Sequence, residues 1–138
     1  MDNEIAVQPE FDISDFITDP TLENNGVWFP LGRNREIKLA RVNNPDYKRL
    51  VRAKYKSARA VLEQEDDAAQ DLNDQMMIEV YAQTIIKGLR VDGKDVAYTP
   101  SLGVKLMKQS NDLRDKIFGL AKDAEAYKVK AEDEAVKS

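Results

Sequence analysis

The sequence predicts a mainly α-helical α+β domain: about four helices with a small β-hairpin near the N-terminus. Two cap-and-proline pairs, Asn44-Pro45 and Thr99-Pro100, mark helix starts. Between them, apolar residues recur at three- and four-residue spacing, the period of a helix with one buried face. Ahead of them, Gly26-Val27-Trp28-Phe29-Pro30 and the stretch from Arg35 to Val42 flank the turn residues Leu31-Gly32-Arg33-Asn34, which reads as two strands and a hairpin. A ribbon that small is unstable alone and must pack on the helices.

Residues 1–25 are read as a flexible N-terminal arm. Their apolar residues, among them Phe11, Ile13, Phe16 and Ile17, are sparse, separated by acids and interrupted by Pro9 and Pro20. Residues 26–128 form the single helix-rich domain. Its first helix is predicted over 45–63, with Tyr47, Leu50, Val51, Tyr55, Ala58, Val61 and Leu62 on one stripe. Lys48, Arg52, Lys56 and Arg59 fall on the opposite side. A second helix is predicted over 68–88, capped by Asp67 and stopped by Gly88, with Met76, Met77, Val80, Tyr81, Ile85 and Ile86 inward. Nothing but the acidic run around 63–67 separates the two, and a break there is favoured over one continuous rod. Asp92-Gly93 predicts a tight turn between two short extended pieces. A short helix then runs from Pro100 to about Gln109, and a last one from about Asp112 carries Leu113, Ile117, Leu120, Ala121, Ala124 and Tyr127. Residues 129–138 read as a frayed helical tail, because the apolar face thins to Ala131 and Ala135. Trp28 is expected in the core, not at a partner surface.

Composition narrows the chemistry. The 138 residues include no histidine and no cysteine, which removes imidazole bases, thiol nucleophiles, disulfides and ordinary structural zinc. Six scattered glycines make no phosphate-cradling loop, and no Ser-x-x-Lys spacing occurs. Residues 91–95 offer too few oxygen ligands for a calcium loop. Asp66-Asp67 and Asp71 with Asp74 lack the apolar setting that would raise a carboxyl pKa for acid/base work. The reading is a non-enzyme with no catalytic residue, no metal and no cofactor. No apolar run approaches the ~20 residues of a spanning helix. The acidic Met1-Asp2-Asn3-Glu4 start is unlike a secretory signal, so cytoplasmic residence is expected.

The net charge of −4 conceals blocks. Residues 1–32 carry seven acids and no base, residues 33–59 ten bases and two acids, and residues 60–86 seven acids and no base. The basic block suggests nucleic acid, but flanking acids able to neutralise it and a pI near 5.0 argue for contacts within the protein instead.

Two stretches resemble the tail assembly chaperones of long flexible-tailed, lambda-like bacteriophages (siphoviruses). One runs from Gly26-Val27-Trp28 through Ile37-Lys38-Leu39-Ala40-Arg41 to Asn44-Pro45-Asp46-Tyr47-Lys48. The other runs from Ile85-Ile86-Lys87-Gly88-Leu89 through Asp92-Gly93-Lys94 and Tyr98-Thr99-Pro100 to Leu106-Met107, then from Leu113 to Tyr127. One position departs, Leu89 standing where members carry a tryptophan soon after the matching glycine. The resemblance implies a non-enzymatic virion-assembly factor of the host cytoplasm. It would bind the tape-measure protein, keep it soluble, recruit tail tube protein through a frameshifted longer form, and be absent from the mature virion. Candidate partner-binding residues are Phe11, Ile13, Phe16 and Ile17 of the arm, for the client, the arm's own domain or a neighbouring copy, and Lys48, Arg52, Lys56 and Arg59 of the basic face. An apolar arm also suggests a homo-oligomer. The competing classes are a structural tail or head-tail connector component and a nucleic-acid-binding regulator.

Overall fold

Strand β1 (Val27–Gly32) turns back on β2 (Arg35–Leu39) through Arg33 and Asn34, both at positive φ (54° and 58°). That pair of left-handed residues matches the twist a two-residue hairpin requires. The computed structural model describes residues 9–64 and 66–129 and carries this hairpin into a larger sheet. A second hairpin, β3 (Ile86–Val91) and β4 (Lys94–Val96), turns at Asp92-Gly93 and pairs antiparallel with β2, giving one four-stranded sheet in the order β1-β2-β3-β4. The fold is therefore α+β and helix-rich, as the sequence predicts, with the expected hairpin forming half of the sheet.

Among the described residues, five α-helices accompany it: α1 (Pro20–Asn25), α2 (Pro45–Leu62), α3 (Asp67–Thr84), α4 (Pro100–Gln109) and α5 (Asn111–Leu120). Local chemistry fixes their starts. The side chains of Asp19, Asn44, Thr99 and Ser110 each accept a backbone N–H from the first turn of the helix that follows. In α3 the cap is Asp66, which accepts from Ala69 N, one residue ahead of the expected Asp67. The acidic stretch separates α2 from α3, which pack side by side as a helical hairpin.

The largest corrections concern where helices stop. The expected helix over 68–88 ends at Thr84, because Ile86 enters β3 and pairs with Leu39. Gly88 is a strand residue rather than a helix stop. The last helix does not reach Tyr127: α5 ends at Leu120, and Ala124–Tyr127 form a 3-10 turn capped by Asp123. Part of the expected arm also takes up regular structure. Within the expected arm, residues 20–25 are helical, Leu22 packs against the core, and a 3-10 turn occupies Ser14–Phe16. Gly26 closes α1 at φ +102°, with the backbone of Leu39 3.2 Å from where a Cβ would sit, so glycine suits the position twice over. The expected frayed tail, from 130 onward, and the first eight residues lie outside the described residues.

The core is one layer between the sheet and the helices. Phe29, Ile37, Leu39 and Ile86 from the strands meet Ile78, Tyr81, Ala82 and Ile85, then Met107, Ile117, Ala121 and Tyr127. Tyr127, fully buried, donates its hydroxyl to Leu39 O at 2.9 Å, joining residues 88 apart in sequence. Asp19 N donates to Tyr127 O at 2.7 Å, and Thr18 bridges Lys128. Among the described residues, every buried side-chain N or O atom has a hydrogen-bond partner.

Trp28 lies outside this core, against expectation. Strand alternation sends Val27, Phe29 and Leu31 inward, so Trp28 must face out with its register partners Lys38 and Gly88. There the Arg90 guanidinium sits 4.0 Å from the centre of its ring, and Gly88 leaves it room: a Cβ would stand 3.2 Å from the indole. Arg90 also donates to Glu36 Oε1 at 2.6 Å and holds that carboxyl below its ordinary pKa.

Candidate functional site

Past the reach of the core helices, the inner face of the sheet continues. Leu31, Leu89, Val91 and Val96 sit at the turn end of the strands, and Leu102 and Leu106 of α4 and Leu113 of α5 face them across a gap. The result is an open apolar groove of about 610 Å³, a size usual for clefts that take ligand or partner side chains. Arg35, Asp112 and Lys116 contribute charge to its lining. The Arg35 guanidinium is tied back to the carbonyls of Leu31 and Gly32, at 2.9 and 3.0 Å, which closes the end of β1.

The groove follows from the width of the apolar face on α4. Residues 102, 103, 106 and 107 make a double stripe, of which Gly103 and Met107 are buried while Leu102 and Leu106 are only partly covered. Val91 and Val96 are 41% and 38% exposed because β3 and β4 run beyond the helices. Such walls suit an amphipathic helix presenting apolar residues at i, i+3, i+4 and i+7. Among the described residues, no group of three or more acids comes together as a metal site, and no helix is long and apolar enough to cross a membrane.

None of the candidate residues read from sequence lines this groove. Phe11, Ile13, Phe16 and Ile17 are exposed, Phe11 to 91% and Phe16 to 73%. Phe16 and Ile17 lie beside residues 128 and 129: Val129 N donates to Ile17 O, and the Lys128 ammonium lies 5.9 Å from the Phe16 ring. Lys48, Arg52, Lys56 and Arg59 line the outer face of α2, all exposed. The structure leaves arm and basic face as two separate surfaces, with no hydrogen bond or ion pair between them among the described residues.

Elsewhere the charge blocks do meet inside the protein. Arg41 pairs with Glu23 at 2.8 Å and Lys54 with Glu79 at 2.9 Å, one base reaching each flanking acidic block. Arg59 pairs with Glu63, and Arg49 with Asp46, along α2 itself. The hydrogen bond from Lys54 holds the Glu79 carboxyl below its ordinary pKa.

Sequence reasoning missed the groove because its walls come from six elements spanning residues 31 to 116. The one local signal was the doubled stripe on α4, wider than a single packing partner needs. Compared with known proteins, the chain matches the sequence model of the family described as YdaY prophage protein over residues 42–138, from the end of the first hairpin onward. No curated protein and no solved structure matches it.

Proposed function

The chain belongs to the YdaY prophage protein family, and from that premise we propose that it is a non-enzymatic phage assembly factor, a tail assembly chaperone that holds the tape-measure protein soluble. The observation that carries this reading is the open groove walled by Leu31, Leu89, Val96, Leu102, Leu106 and Leu113. An elongated helical client exposes repeated apolar stripes until tube subunits enclose it. A small domain that is 33% charged can cover one stretch of such a stripe and turn a charged surface to water. Each copy would bind weakly, and several in a row would gain by multivalency along one client. The site of action is the host cytoplasm, with tail tube protein recruited through a frameshifted longer form and no copy left in the mature virion.

Co-expression tests the groove. The tape-measure protein of the same phage should move from the pellet to the soluble fraction and co-purify with this chain. Leu106→Glu, placed in the partly covered wall of α4, should cut that co-purification by at least about tenfold, the effect of a charge left unpaired in an apolar contact. Equal yields with wild type, Leu106→Glu and no partner would sink the proposal. Mass spectrometry of purified particles separates it from the connector reading, since a virion component is present in fixed copy number and an assembly chaperone is missing.

A further inference from the structure

Two exposed strips of opposite charge remain on the molecule, neither of which lines the groove. The first is the arm, where Glu10, Asp12 and Asp15 alternate with Phe11, Ile13 and Phe16, and residues 1–32 contain no base. Asp12 accepts the Ser14 N–H at 2.9 Å, which holds its carboxyl below the ordinary pKa and keeps it charged. The second is the outer face of α2. Lys48, Arg52, Lys56 and Arg59 follow at spacings of four, four and three, and Tyr55, 50% exposed, borders them on the side toward α3. Lys48, Arg52 and Lys56 take part in none of the ion pairs formed among the described residues.

The strips also match in reach. Lys48 to Arg59 spans about 16 Å of helix, and Glu10 to Asp15, which ends in the Ser14–Phe16 3-10 turn, spans at most about 14 Å. Each joins charge of one sign to exposed aromatic surface. Within one chain no hydrogen bond or ion pair joins the two among the described residues, and residues 17–19 are hydrogen-bonded to 127–129, which holds the end of the arm there.

We propose that the acidic, aromatic arm of one copy docks on the basic, tyrosine-bordered face of α2 on a second copy. The two surfaces differ, so the contact is heterologous and joins copies head to tail, closing as a ring or continuing as a filament. Such an array would set successive grooves at a fixed interval, although self-association itself does not depend on the client reading.

Sedimentation velocity on the full chain, freed of nucleic acid by nuclease and high salt, tests this directly. Wild type should associate with rising concentration, and the association should weaken roughly tenfold or more between about 50 mM and about 500 mM salt. Asp12→Lys with Asp15→Lys, and separately Arg52→Glu with Lys56→Glu, should each give monomers. All four positions are exposed, and circular dichroism checks that the fold is kept. Mixing the two double variants should restore association, and so should combining all four changes in one chain, because the charges again meet with polarity reversed. Failure of both rescues would overturn the proposal, as would association indifferent to either double variant, or association seen only with nucleic acid present. A wild type that stays monomeric at low salt would overturn it too, while leaving capture of the client by the groove intact.

Discussion

Helices α2 and α3 have the same length, 18 residues, and lie side by side, yet they sit at opposite ends of the burial scale. The more regular apolar stripe belongs to α2, and no residue of α2 is buried; Tyr55 and Val61 remain largely exposed. The pattern of α3 is less tidy, and Ala69, Met76, Ile78, Val80, Tyr81, Ala82 and Thr84 are all buried. The difference lies in the neighbours. One flank of α3 packs on α2 and the other on α4 and the sheet, whereas α2 packs chiefly on α3. Periodicity identifies which face will be covered, and the number of layers laid on that face decides how completely.

The same truncation in the two helices tests this contrast most strongly. Tyr81 is 1% exposed and stacks on Phe118 at 4.2 Å and edge-on against Tyr47 at 6.0 Å, so Tyr81→Ala should cost about 4 kcal/mol. Tyr55→Ala should cost under about 1 kcal/mol, since half of that side chain never leaves water. Urea unfolding of both variants reads the gap, and equal losses would break the comparison.

A smaller effect tests how α2 is anchored. Asn44 accepts from Tyr47 N at 2.9 Å while its amide donates to Arg41 O at 2.9 Å and reaches Thr84 O at 3.4 Å. Asn44→Ala loses cap and tether together and should cost about 1.5 kcal/mol, with hydrogen exchange accelerating first in α2.

The smallest effect is pH-dependent. Glu79 has a folded pKa below its reference of 4.5 because Lys54 donates to it across the two helices. The stability it contributes is therefore present above about pH 4.5 and lost as the pH falls through the lower folded value. Both side chains are partly exposed, so Glu79→Gln should cost only about 0.5 kcal/mol at neutral pH. That difference from wild type should shrink toward zero in acid, and a constant difference would show that the pair is not its source.

The helix starts were legible in the sequence because capping is chemistry among four adjacent residues, as Asn44-Pro45 and Thr99-Pro100 show. Helix ends were less so. Ile85-Ile86 continues the helical apolar run, and only pairing with β2, more than forty residues upstream, turns it into strand. The spacing through Ala124 and Tyr127 likewise fits a helix, but Tyr127 is placed by its bond to Leu39 O, a distant partner that local spacing does not encode. Trp28 and Phe29 are both aromatic neighbours on a strand, so one had to face outward; Arg90, the residue that covers Trp28, lies over sixty positions away. The exposure of the arm and of the basic face was readable from charge and sparseness. The groove was not, being a gap left where four strands outrun two short helices.

Tyr127 also imposes an order of events. A chain emerging from the ribosome has made β1, β2 and both long helices before the residue that locks Leu39 and Asp19 exists. Until then the inner face of the sheet lacks Tyr127, and the pairing of β2 with β3 joins distant stretches of chain, the slow and aggregation-exposed class of contact. A nascent chain halted before residue 127 would therefore leave part of that apolar face uncovered, and residues 127–129 act as the latch on Leu39 and on residues 17–19.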